Sequence, residues 1–319
     1  MTKNFDVICI GAALVDMVAQ VARFPENDDE VFVSDLKLLS GGAAANTAYA
    51  CAKIGLKTAF IGKLGRNDVF GLKIINDFNE VKVYTELIKY SNEHRTGSAY
   101  VALNKEGDRR IYAYSGAANY LLKEDIRENE LSLANIIYLS SLKNIDPFVK
   151  AANIGRDRKI PVILNPGMLI IEQGLINIKI LLEKIDILIL SQREFKLLFD
   201  LKKEDIKLNI VRRKAEELFS LGINGIVITK GNKGALIITP ENAEIIPPIK
   251  MIKVVDTTGA GDAFSAGFLY GFIQNQSFEF ELLKRNVRVG NFIAGKCIEK
   301  LGARNGIPEE EEIKLIKLS

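Results

Sequence analysis

Tryptophan is absent from this sequence of 319 residues, histidine occurs once and cysteine three times. Each scarcity removes a class of chemistry. With His94 as its one histidine, the chain has almost no material for a histidine relay or a multi-histidine metal centre. His94 itself reads as a surface-loop residue. Cys9, Cys51 and Cys297 are far apart and form no CxxC pair, which argues against a metal finger or a disulfide framework. Cys9 and Cys51 sit in apolar stretches and read as inert core thiols. Neither sign of charge dominates, since Lys+Arg 43 against Asp+Glu 40 leaves a net charge of +3. So small an excess, spread along the chain, speaks against a nucleic-acid partner. No apolar run is long enough and free enough of charge to span a bilayer. The opening MTKNFDVICIGAALVDMVAQ does not read as a signal peptide, so the expected location is the cytoplasm. No repeat, low-complexity tract or Pro/Ser linker interrupts the chain.

What is present is apolar and periodic. Hydrophobic residues make up 48% of the chain, ample for a large core. DVICIG (6–11) is a short apolar run ending in glycine and reads as a buried first strand. The stretch 18–39 holds short β-prone pieces around the breaker FPENDD. Gly41 and Gly42 then open a helix-like run, AAANTAYACAKIG, closed by Gly55, and TAFIGKLG follows as another strand. From Thr96 to Gly116 apolar and polar residues alternate, with Asn104–Asp108 (NKEGD) as a hairpin turn whose glycine supplies positive φ. After the hairpin, NIIYLSS, PVILNPG, DILILS, GIVITKG and GALIITP are strand candidates separated by helical patterns such as VRRKAEELFSLG. The acidic run Glu309–Glu312 suits the start of a last helix. Such alternation predicts an α/β fold with a doubly wound, mostly parallel sheet. A small β-sheet lid is expected from about 12–39 and 94–117, the whole forming one domain.

The chemistry concentrates in Val254–Leu269, VVDTTGAGDAFSAGFL. Gly259, Ala260 and Gly261 place three small residues at a helix start, where backbone N–H groups can approach an anion closely. Asp262 follows in the first helical turn. A carboxylate beside a phosphate-binding loop suits a general base for an attacking hydroxyl. The plainer alternative is that Asp262 caps the helix and the glycines turn the chain.

VVDTTGAGDAFSAGF resembles the C-terminal signature of the ribokinase-like (pfkB) carbohydrate kinases. GGAAANTAYACAKIGLKTAFIGKLG, with Gly41, Gly42, Asn46, Ala48, Gly55 and Gly65, resembles the N-terminal signature of that family. GRNDVFG is similar to the family's GxDxxG but one residue longer, DVICIGAALVD resembles its opening strand, and LGARNGIP its final loop. Two signatures in the right order are far more specific than either alone. The resemblance implies an ATP-dependent kinase acting on a hydroxyl of a small molecule. Asp262 would be the base, and Gly259, Ala260 and Gly261 the anion hole. Asp16, Gly42 and Asn46 would bind substrate hydroxyls. Thr229, Gly231 and Gly234, in ITKGNKGA, match the strand-turn beside ATP. Asn291 falls where the family contacts adenine, or else is a helix surface residue. Glu194 would organise Mg²⁺ through water, although SQRE (191–194) carries serine where the family's NxxE has asparagine; alternatively Glu194 is an ordinary first-turn acid. Asp256 and the Gly302–Gly306 loop resemble segments that hold a monovalent cation, K⁺, in some members.

The acceptor is expected to be a sugar, with a nucleoside as the alternative and a non-catalytic binding protein that kept the fold as a third reading. Retention of Asp262 with GAG argues against the third. Tyr112 and Tyr114 either stack on a base or pack a sheet face. The resemblance also implies a homodimer formed through the lid.

Overall fold

The computed structural model describes residues 3–106, 108–201, 207–249 and 253–314. In the first half lie β1 (Phe5–Gly11), β2 (Leu14–Val21), β3 (Val33–Gly41), β4 (Thr58–Ile61), β5 (Lys63–Gly65), β6 (Lys89–Ser91), β7 (Thr96–Leu103) and β8 (Arg109–Gly116). In the second half lie β9 (Ala134–Ser140), β10 (Val162–Asn165), β11 (Ile187–Ser191), β12 (Gly225–Thr229), β13 (Ala235–Ile238) and β14 (Ala243–Ile246). The main sheet has the order β14-β13-β12-β11-β10-β9-β1-β4. It is parallel from β4 to β12 and turns antiparallel at β13 and β14.

The strands read as continuous apolar runs because helices cover both faces. Along β1, Val7 and Cys9 join a core with the Ala43–Lys53, Ala260–Ile273 and Phe280–Cys297 helices. Ile8 and Ile10 point the other way, into a core with the Asp146–Arg158, Leu175–Leu182 and Leu208–Phe219 helices. This is the doubly wound arrangement the alternation implied. All three cysteines are buried and free. His94 is only half-exposed and stacks on Tyr120 with ring centroids 3.5 Å apart. Among the described residues, no helix is long and apolar enough to cross a membrane.

A separate sheet, ordered β3-β2-β7-β8, stands over the main one. Its β7–β8 hairpin is antiparallel, and its turn closes with Asp108 N–H donating to Asn104 Oδ1 at 2.8 Å. Gly107, assigned to that turn, lies outside the described residues. Successive side chains of a strand alternate between faces. Val18, Leu39, Val101 and Ile111 line a cavity on one face. Tyr112 and Tyr114 occupy the opposite face, 69% and 52% exposed. Stacking on a base within that cavity is therefore closed to them, and on the outer face both rings are exposed rather than packed. The last helix covers Glu310–Lys314, one residue inside the predicted acidic start.

Between β1 and β9 the chain departs toward opposite edges of the sheet, and a crevice opens at the carboxyl ends of strands at such a switch point. Gly11 ends β1 there. A Cβ on it would lie 2.0 Å from the Ser140 carbonyl oxygen and 2.6 Å from the Ala44 Cβ. Glycine is what lets β9 and the Ala43–Lys53 helix close on the crevice floor. Gly11→Ala should lower stability by about 1–3 kcal/mol through overpacking, read as a lower urea midpoint. An unchanged midpoint would mean that the floor has slack.

Candidate functional site

The turn expected to hold an anion is built where Gly259, at φ 76°, leads the chain into the Ala260–Ile273 helix. A Cβ at Gly259 would lie 2.4 Å from the Ala303 Cβ, whereas one at Gly261 would meet nothing within 4 Å. The two glycines thus serve different ends: Gly259 lets the 302–306 loop pack close, and Gly261 keeps space open in front of the helix. First-turn N–H groups have no intrahelical acceptor and carry the positive end of the helix dipole. Of these, Ala260 N–H already makes a long turn bond of 3.3 Å to the Thr257 carbonyl.

Asp262, one residue further on, is half-buried. Asn46, in the first turn of the Ala43–Lys53 helix, donates from Nδ2 to Asp262 Oδ2 at 2.9 Å. Thr47 Oγ1 bonds the Asp262 carbonyl at 3.3 Å and reaches the Tyr138 hydroxyl at 3.4 Å. From β10, Asn165 Nδ2 donates to Ser265 Oγ at 3.2 Å, and Ser265 bonds back to the Gly261 carbonyl at 3.1 Å. The first turns of two helices are therefore pinned to each other and to the strand ends. Burial pushes the Asp262 carboxyl up to about 7, and Glu194 adds to the rise, while the Asn46 bond and Arg304 oppose it. A carboxylate poised near neutrality is suited to take and release a proton at working pH.

Arg304 was missed in the sequence. It is buried and donates from Nε to Asn46 Oδ1 at 3.0 Å. No periodicity or motif chemistry marks it, because its partner is 258 residues away. Tyr138, Thr47, Ser265 and Asn165 were missed for the same reason.

Asp16 lies on the cavity face of the lid, in β2, and helps to wall a cavity of about 470 Å³ together with Ser40, Asp256, Thr257, Thr258 and Gly302. Gly41 leaves room for it, since a Cβ there would lie 2.5 Å from Asp16 Oδ2. Gly42, at φ 93°, caps the Asn46 helix and passes so close to Ala12 that a Cβ would lie 2.5 Å from its carbonyl oxygen. Burial raises the Asp16 carboxyl, and Arg304 opposes the rise.

A second cavity, of about 560 Å³, shares Val254 and Thr257 with the first. Thr229, Gly231, Gly234 and Asn291 line it together with Ala260 and Gly261, so residues expected beside the nucleotide do converge on the anion loop. Its wall includes Phe264, Ile249 and Ile298, an apolar surface fit for a flat ring. Asn291 is not a surface residue: it is 8% exposed and donates to the Ile246 and Pro247 carbonyls at 3.2 and 2.9 Å, holding that wall. Glu194 is buried and closes a capping box, accepting from Ser191 N–H at 2.6 Å while its own N–H donates to Ser191 Oγ at 3.2 Å. Asp256 fastens two loops, with Oδ1 accepting from Thr258 N–H (3.0 Å) and Oγ1 (2.8 Å) and Oδ2 from Gly302 N–H (2.8 Å). Burial pushes the Asp256 carboxyl up, but those bonds and Arg109 pull it below its usual range.

Two adjoining cavities that share Val254 and Thr257, a glycine turn into a helix start on the wall of one, and a poised carboxylate beside it are parts that a small-molecule phosphotransferase needs. The chain belongs to the pfkB family of carbohydrate kinases, whose model matches residues 4–310. It is an ATP-dependent kinase of that family. A protein described as an uncharacterized sugar kinase from Archaeoglobus fulgidus is 33% identical over 260 residues, spanning 81% of this chain and 97% of the relative. A ribokinase from Staphylococcus aureus is 28% identical over 313 residues, covering 97% and 99% of the two chains. The structure of an Arabidopsis thaliana ribokinase complexed with ribose and ATP superposes with a TM-score of 0.86 at 26% identity, covering all of both chains.

The contrast between the glycines gives a test. Gly261→Val should fold normally, because its Cβ meets open space, yet transfer should fall by about 10²-fold or more as the branches block the approach of phosphate. Gly259→Val should fail to reach wild-type stability. Normal turnover by the Gly261 variant would mean that this loop does not hold the phosphoryl group.

Proposed function

We propose that this kinase transfers the γ-phosphoryl group of ATP to a hydroxyl of a sugar. The hydrogen-bonded pair of Asn46 and Asp262, directly after the Ala260 and Gly261 wall of the second cavity, carries the reading. The acceptor would lie in the cavity under the lid, with the Asp16 carboxylate accepting from its hydroxyls and Asn46 Nδ2 able to donate to one. Ionised Asp262 would take the proton of the attacking hydroxyl as the oxygen bonds phosphorus. ATP would fill the second cavity, its purine against Phe264 and Ile298. The transferring group would pass over the backbone N–H groups at the start of the Ala260–Ile273 helix, whose dipole matches its charge.

Mg²⁺ bound with the nucleotide would offset phosphate charge. Among the described residues no group of three or more His, Cys, Asp or Glu side chains converges to cage a metal. That absence suits an ion that keeps its waters and takes most of its ligands from phosphates. Glu194 has one carboxylate oxygen committed to Ser191 N–H, leaving the other for a water of such an ion. Asp256, tied to Gly302, brings a carboxylate to the backbone of the 302–306 loop, oxygen donors of the kind K⁺ takes.

A nucleoside acceptor is the second reading, favoured by the apolar wall of Val18, Leu39, Val101, Leu103 and Ile111 beyond Asp16. The sugar reading is preferred because the polar groups around Asp16 and Asn46 recognise hydroxyls without needing a base. A homodimer through the lid is also proposed. Its outer face carries Leu36, Leu38, Tyr100, Tyr112 and Tyr114, each more than a third exposed, and apolar sheet faces of this kind call for a cover. Sedimentation should find the dimer at micromolar concentration, and a monomer would remove it.

The function is tested by ADP release with pentoses, hexoses, ketodeoxy acids, phosphosugars and nucleosides as acceptors. A free sugar should turn over, and Asp262→Asn should cut kcat by about 10²–10⁴-fold. Turnover of nucleosides alone would overturn the acceptor, and full activity of Asp262→Asn would overturn the base.

A further inference from the structure

We propose that Arg304 is a positioning residue for the transfer step, orienting the Asn46 amide so that its N–H, not its carbonyl, faces Asp262. The inference rests on the reading of Asp262 as the base.

An amide has a donor end and an acceptor end, and either can be turned toward a neighbour. At Asn46 the choice is made by Arg304, whose Nε–H occupies Oδ1 at 3.0 Å. Nδ2 is then left for Asp262 Oδ2 at 2.9 Å. A flipped amide would set its carbonyl against a carboxylate and its NH₂ against a guanidinium, so both contacts would turn repulsive. The guanidinium cannot drift from this post. It lies 4.9 Å from the Tyr49 ring centroid and 5.7 Å from that of Phe78, with 8% of the residue exposed.

Packing alone does not explain an arginine here. Nη1 and Nη2 are buried with no hydrogen-bond partner among the described residues. Asp77 Oδ2 is 3.8 Å from Nη1, but both Asp77 oxygens already accept from Lys73 Nζ at 3.1 Å. A buried cation with unmet donors is costly, and an apolar side chain of similar volume would serve stability better. Burial pushes Arg304 down to about 10, opposed by Asp77, Tyr49, Asp262 and Asp16, so it stays charged at neutral pH. Its charge therefore also acts on Asp262. The other groups facing Asp262 are Glu194, which is acidic, and Tyr138 and Cys297, which burial holds neutral.

Arg304→Gln and Arg304→Met separate the two effects. Glutamine carries Nε2 as many bonds from the backbone as arginine carries Nε, so it can still donate to Asn46 Oδ1 but has no charge. Methionine fills similar space with neither donor nor charge. The measurement is the pH profile of kcat/KM for the acceptor at saturating ATP. With Arg304→Met the high-pH plateau should drop roughly 10- to 100-fold, and the acidic limb should move up by about one unit. Arg304→Gln should show the same raised limb but a plateau within about fivefold of wild type. A Met variant that matches wild type in plateau and limb would overturn the inference. So would Gln and Met variants equally slow with unmoved limbs, the signature of packing alone. Should the Met variant not fold, the Gln variant decides: a raised limb with a near-normal plateau supports the role, and an unmoved limb refutes it. Asp262→Asn, run alongside, keeps the two failures apart, since its activity bears on the base and not on Arg304.

Discussion

Asn46 and Asp262 are 216 residues apart in sequence and joined by one hydrogen bond of 2.9 Å. Each sits in the first turn of a helix, and each helix packs on the same face of the main sheet. The bond can form only because the sheet divides between β1 and β9, leaving the crevice into which both helix starts point. Gly11 and Gly42 allow the backbones around it to close to distances that no Cβ would permit. The 259–261 turn leads straight into Asp262 on one side of this junction, and Ala260 and Gly261 line the second cavity.

The arrangement is not the one that stability alone would select. A carboxyl is held half-buried near neutrality, and among the described residues a guanidinium is buried with unmet donors and the Ser40 and Ser140 hydroxyls are buried without partners. Departures from full polar satisfaction concentrate where function is placed. The apolar cores on the two faces of the sheet carry the fold, so the crevice can be tuned for charge. Proton transfer needs a base whose affinity lies near that of its surroundings, and partial withdrawal from water is the physical means to it.

Much of this was legible in the residues. Apolar runs ending in glycine or polar residues marked the parallel strands, because burial on both faces removes alternation. Alternation at Thr96–Gly116 marked the lid hairpin, because only one of its faces lines the cavity. The loop Gly259–Gly261 with Asp262 was visible as local chemistry. What could not be read was anything carried by distant partners. Arg304 lies in a loop and acts on a residue 258 positions away. The outward direction of Tyr112 and Tyr114 is set by register with β7, and strand alternation does not say which face is covered. The sequence left Asn291 between a nucleotide-pocket contact and a helix surface residue, because it does not show which cavity wall the helix covers; the structure buries it on that wall. One signal was present and passed over: Ser191-Gln192-Arg193-Glu194 is a serine followed three residues later by glutamate, the pattern of a capping box, and the structure has that box.

The central claim is that burial, tempered by Asn46 and Arg304, sets the Asp262 carboxyl near neutrality for use as the base. The pH dependence of kcat/KM for the acceptor, measured on the wild-type enzyme at saturating ATP, tests it most directly. Protonated Asp262 cannot accept the hydroxyl proton, so log kcat/KM should climb with unit slope as pH rises and level off near 7. A profile flat from about pH 5 upward, the behaviour of an ordinary solvated carboxylate, would contradict the account.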